Sequence, residues 1–103
     1  MKSITFIALS LVSFAAAISG AEVDRRQENQ QDRIGRGVQN GSLTAAEGAR
    51  LEAREARIHR EVRRSRAHNN GKLTPAERER YDAQLDRQSR RIRAQKTDND
   101  RVR

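Results

Sequence analysis

The chain has 103 residues, a formal net charge of +8, 35% charged and 34% hydrophobic residues, a mean hydropathy of −1.02 and no cysteine. Such a composition excludes a disulfide framework and a large core, and it leaves room for one small domain at most. Nearly all of the positive charge is arginine, which suits association with anionic surfaces and says little about fold.

The first predicted element, residues 1–21, reads as a cleaved secretory signal peptide. Lys2 is followed by an apolar run from Ile4 to Ile18 and a small-residue exit at Ser19-Gly20-Ala21. The apolar run is about 15 residues, short of the roughly 20 that a bilayer span needs. This order implies export, to a periplasmic or secreted location. After it, Tyr81 is the only aromatic residue.

Residues 22–42 read as a weak helix, from about Val23 to Val38, followed by a linker. Gly35 and Gly37 lower its propensity, and its only large apolar residues are Val23, Ile34 and Val38. Residues 43–96 carry the strongest signal. Asn40-Gly41-Ser42-Leu43-Thr44-Ala45-Ala46-Glu47 is repeated, 30 residues on, as Asn70-Gly71-Lys72-Leu73-Thr74-Pro75-Ala76-Glu77. In each copy Asn-Gly stops one helix and a Thr-x-x-Glu capping box starts the next, with Thr44 and Thr74 at the caps and Glu47 and Glu77 reaching back to them. Pro75 sits where a first helical residue has no N–H bond to lose. Helices are therefore predicted from Ala45 to about His68 and from Pro75 to about Gln95.

The two helices carry mirrored apolar stripes. Val62 pairs with Tyr81, Ile58 with Leu85 and Leu51 with Ile92, each pair equidistant from a point between Gly71 and Lys72. That is the pattern of an antiparallel helical hairpin. In such a hairpin the basic end of one helix (Arg60, Arg63, Arg64, Arg66) would lie beside the acidic start of the other (Glu77, Glu79, Asp82), and Glu47, Glu52 and Glu55 near Arg90, Arg91, Arg93 and Lys96. Three facing pairs bury too little to close a core, so the weak first helix, a second copy or a bound client is required to cover the seam. Residues 97–103, with no periodicity, read as a disordered tail. The expected fold class is all-α: a helical hairpin with a weaker N-terminal helix after the signal peptide.

No residue pattern supports a catalytic site, a cofactor or a metal. Glu52 and Glu55 are expected on an exposed helix face among arginines, where nothing raises a carboxyl pKa. His59 and His68 stand nine residues apart with no second ligand at metal spacing. Taking Gly41 and Gly71 as the central glycines of EF-hand loops puts Arg36 and Arg66 where calcium needs an anionic oxygen, so a degenerate EF-hand is a remote alternative.

The segments Leu43-Thr44-Ala45-Ala46-Glu47 and Leu73-Thr74-Pro75-Ala76-Glu77 resemble the paired Leu-Thr-x-x-Gln motifs of the Spy/CpxP-type periplasmic proteins, with Glu in place of Gln and a closer spacing. The resemblance implies an all-helical envelope protein, some of whose relatives are chaperones that dimerise and hold clients on a helical surface. The leading expectation is thus a non-catalytic binding protein, with client or partner proteins of the envelope or a second copy on the Leu51, Ile58, Val62, Tyr81, Leu85 and Ile92 seam. The alternative is a polyanion-binding protein, docking lipopolysaccharide or anionic lipid through Arg63, Arg64, Arg66, Arg87, Arg90, Arg91 and Arg93. Export and the scarcity of aromatics argue against a natural nucleic-acid target.

Overall fold

The computed structural model describes the backbone of residues 20–102 and the side chains of residues 20–98; the signal-peptide expectation lies outside these residues except at Gly20 and Ala21. Within them the chain is all-α, with three helices: α1 (Gly20–Gln39), α2 (Ala45–His68) and α3 (Pro75–Val102).

The two junctions form from local sequence. Thr44 Oγ1 accepts from Glu47 N at 3.1 Å while Thr44 N donates to Glu47 Oε1 at 2.9 Å. Thr74 and Glu77 repeat the arrangement at 3.1 and 2.8 Å. Gly41 (φ 82°), Asn70 (φ 53°) and Gly71 (φ 83°) adopt the left-handed conformation that turns the chain out of a helix. Asn69 N and Gly71 N both donate to Arg66 O, at 3.1 and 2.8 Å, closing the end of α2.

Packing follows a seven-residue period. The buried positions are 23, 27, 30, 34 and 37 in α1, and 48, 51, 55, 58 and 62 in α2. In α3 they include 81, 85, 88 and 92. Steps that alternate between three and four residues give each helix one narrow inward seam. The contacts fix directions. Gln88 Nε2 donates to Leu51 O (2.8 Å) and Tyr81 Oη to Glu61 O (3.0 Å), so α2 and α3 are antiparallel. Gln30 Nε2 donates to Leu85 O (2.7 Å) and Arg33 Nη1 to Ser89 Oγ (2.9 Å), so α1 runs parallel to α3. The result is an up-down-up three-helix bundle.

The core has two apolar halves. Val23, Ile58, Val62, Leu73, Tyr81 and Leu85 fill one, and Ile34, Leu43, Leu51 and Ile92 fill the other. The leucines of the repeated motif, Leu43 and Leu73, thus lie in the core as well as leading into the caps. Between the halves lies a polar layer drawn from all three helices: Gln27, Gln30, Glu55 and Gln88, each at most 6% exposed.

Four features differ from the sequence expectation. First, α1 is a full 20-residue helix whose Val23 and Ile34 are buried, because tertiary burial outweighs the propensity cost of two glycines. Gly37 is there for close approach: a Cβ on it would stand 2.6 Å from Leu43 Cδ1 and 2.9 Å from Lys96 Cε. Second, α3 continues to Val102 through residues expected to be disordered. An established helix gains a backbone hydrogen bond with each added residue and needs no apolar face to do so. Third, Glu55 is 1% exposed, since the mirror symmetry that pairs Ile58 with Leu85 also places Glu55 against Gln88. Fourth, α1 takes ion pairs that the sequence expectation placed within the hairpin: Arg26 pairs with Asp82 and Asp86, and Arg66 with Asp24. The flanks of α1 lie beside both other helices, so its charged residues reach partners on each.

Candidate anion-binding groove

The face of the bundle away from α1 is built from the outer flanks of α2 and α3. Arg50, Arg54 and Arg57 recur at helical spacing along α2, and Arg87 and Arg91 one turn apart along α3. These two rows flank a cleft of about 310 Å³ lined by Arg54, Arg57, Ile58, Glu61, Gln84, Arg87 and Arg91. The cleft continues past Arg54 and Arg91 toward Glu47, Arg50, Leu51, Ala94 and Gln95. On its α3 bank Arg90 joins Arg87, Arg91 and Ala94. At one end Gln84 Nε2 donates to Glu61 Oε2 at 3.3 Å.

Five guanidiniums therefore border the groove and Arg90 stands beside them on α3, six in all, with Glu47 and Glu61 the acidic side chains along it. None of the six takes part in the ion pairs that tie α1 to its neighbours. Guanidinium groups present paired donors that match the oxygens of phosphate or carboxylate, and a row of them on two rigid helices suits an extended anion.

The expected basic residues divide. Arg87, Arg90 and Arg91 lie at the groove. Arg66 is committed elsewhere, donating to Asp24 at 2.9 and 3.1 Å and to Gly20 O at 3.0 Å. Arg63 and Arg64 are exposed and do not line the groove. Arg93 faces α1, where partial burial and then the Arg93 charge lower the pKa of Arg33. Sequence reading missed Arg50, Arg54 and Arg57, because it grouped arginines by runs along the chain. Spacing of four and three residues was the signal that would have found them.

The α1–α2 side has the opposite character. Asp24, Gln27, Glu28, Gln31, Glu55 and His59 line a cleft of about 390 Å³. His59 Nδ1 lies 3.1 Å from Gln27 Oε1, and His68 Nδ1 lies 2.9 Å from Arg64 O at the end of α2. Burial pushes the Glu55 carboxyl up to about 7, with Glu52 adding to the rise and the Gln88 hydrogen bond opposing it. The layer's hydrogen-bond inventory points the same way. Gln30 Oε1, Gln88 Oε1 and Glu55 Oε1 are acceptors without a protein partner, against one such donor, Gln27 Nε2. A proton on Glu55 turns one surplus acceptor into a donor. Among the described residues no group of three or more His, Cys, Asp or Glu side chains gathers as a metal site.

No family model matches the chain, and no curated protein or solved structure is significantly similar to it.

Proposed function

We propose that this is an exported, non-catalytic binding protein that docks a phosphate-bearing anionic surface of the cell envelope, anionic lipid or lipopolysaccharide, through the groove between α2 and α3. The observation that carries this reading is the convergence of Arg50, Arg54, Arg57, Arg87, Arg90 and Arg91 on one face. The groove offers guanidinium donors for the phosphates above a narrow apolar floor of Ile58 and Leu51, so attraction would be chiefly electrostatic, with the helices lying on the surface and not within it. Among the described residues no helix is long and apolar enough to cross a membrane, in keeping with a peripheral contact.

Client binding, the leading expectation from the sequence, rests on an uncovered seam. Leu51, Ile58, Val62, Tyr81, Leu85 and Ile92 are each at most 7% exposed, with α1 lying against them, and Val38, 40% exposed, is the large apolar side chain left at the surface among the described residues. A client or a second copy would have to displace α1 to reach more than the edges of Leu51 and Ile58 that line the groove.

Vesicle co-sedimentation tests the proposal. Binding to anionic vesicles is expected to exceed binding to zwitterionic ones and to fall on the order of tenfold or more between about 0.05 and 0.2 M salt. The variant carrying Arg54→Gln, Arg57→Gln, Arg87→Gln and Arg91→Gln is expected to remain helical and to lose that binding. Salt-independent binding, or full binding by the variant, would overturn it.

A further inference from the structure

A second cluster of cations lies on the other side of α3, where it meets the C-terminal end of α1. Arg33 and Arg36 come from α1, and Arg93 and Lys96 from α3. Contacts at this end hold α1 against α3. Arg33 Nη1 donates to Ser89 Oγ at 2.9 Å, one turn before Arg93. The stem of Lys96 crosses α1 at Gly37, with Cε 2.9 Å from where a Cβ would stand, so the missing side chain of Gly37 lets the lysine in. Arg36 Nε donates to the backbone carbonyl of Asp32 at 3.4 Å, leaving its terminal nitrogens uncommitted by that bond.

The four charges act on one another. Partial burial and then Arg93 lower the pKa of Arg33, and partial burial followed by Arg33 and Arg36 lowers that of Lys96. The ion pairs that tie α1 to its neighbours lie toward the other end of the helix, at Asp24 and Arg26, and do not reach this cluster. Like charges gathered from two helices repel, and a small multivalent anion accepting from several of them reverses that repulsion.

We propose that Arg33, Arg36, Arg93 and Lys96 form a binding site for a compact phosphate oxyanion, either the free ion or the phosphomonoester of a lipid headgroup. The guanidiniums donate to its oxygens from two helices, and the Lys96 ammonium supplies a further donor. The site also joins α1 to α3, so its occupant stabilises the docking of α1. It is separate from the α2–α3 groove and does not depend on the reading given to that groove.

The test measures thermal unfolding of the chain at constant ionic strength in chloride, in about 10 mM inorganic phosphate or pyrophosphate, and with vesicles containing phosphatidic acid. Phosphate or pyrophosphate is expected to raise the midpoint by about 4 °C or more over chloride. The Arg33→Gln/Arg93→Gln variant is expected to lose that rise, while the groove variant Arg54→Gln/Arg91→Gln keeps it. Lys96 supplies a second readout: its ammonium pKa, followed by nuclear magnetic resonance, should rise when the anion binds. A response to the free ions assigns the site to free phosphate, and a response to phosphatidic acid vesicles alone assigns it to a headgroup. No response to any of the three overturns the site, as does a rise lost equally in both variants or an unmoved Lys96 titration.

Discussion

Gly37 and Gly35 show how one residue type carries two meanings two positions apart. A methyl group on Gly35 would have nothing within 4 Å of it, whereas the same group on Gly37 would meet Leu43 and Lys96. Gly35→Ala is therefore expected to stabilise the bundle by about 0.5–1 kcal/mol through helix propensity. Gly37→Ala is expected to destabilise it by about 1–3 kcal/mol through overpacking, net of that gain. Urea unfolding of the two variants checks both, and a stabilising Gly37→Ala would show that α1 does not approach Leu43 as closely as described. Glu55 is the other residue whose role depends on its surroundings. In the sequence it is one of several acids on a charged helix. In the fold it shares a buried polar layer with Gln27, Gln30 and Gln88, where a polar group at a seam position gives up stability and restricts how the helices can slip.

The repeated Leu-Thr-x-x-Glu element starts both α2 and α3, and each copy does two jobs. Its leucine enters the core, and its Thr and Glu satisfy the first free N–H groups of the helix. The backbone N–H of Thr74 holds the Glu77 carboxyl below the usual carboxylate range. Thr44→Ala and Thr74→Ala are each expected to cost about 1 kcal/mol, and the two should add because the caps sit at opposite ends of the hairpin. Denaturant midpoints of the two single variants and the double variant check this. Loss of far less than the sum in the double variant would mean that the caps are coupled. At this scale the sequence was highly legible. Both junctions and the starts of α2 and α3 follow from interactions within a few residues, and such interactions are written in order along the chain.

For the whole molecule, the polar layer couples stability to pH. The Glu55 carboxyl ionises at about 7 in the folded chain, against an ordinary value of 4.5. Between those values the folded chain holds a proton that the unfolded chain has released, so stability falls as pH rises through the window and levels off above it. Glu77 is shifted in the opposite direction, so its capping contribution is full above the ordinary carboxylate range and is lost as the pH falls through its lowered folded value. Stability is therefore expected to peak near pH 5 and to decline by about 1–3 kcal/mol toward pH 8. Glu55→Gln, which keeps an acceptor for Gln88 and adds a donor, should remove most of that decline and be more stable than the parent at pH 8. Thermal melts at pH 5, 6.5 and 8 check the sign. A parent chain that grows more stable across that range would mean that Glu55 is ionised and solvated in the folded state.

What the sequence determined by itself was local and periodic: an all-α chain, the two stop-turn-start junctions, the antiparallel pairing of α2 with α3 and the residues of their seam. These follow from hydrogen bonds and apolar spacing within short stretches of chain. What only the tertiary structure decided was the place of α1, whose Val23 and Ile34 are too few to mark it as a core element until the groove of the hairpin is there to receive them. The same docking completed the burial of Glu55, paired Arg66 with Asp24 of α1, and separated the arginines of α3 into those facing the open groove and Arg93 facing α1. Burial and charge proximity are properties of three helices together, and no single stretch of sequence carries them.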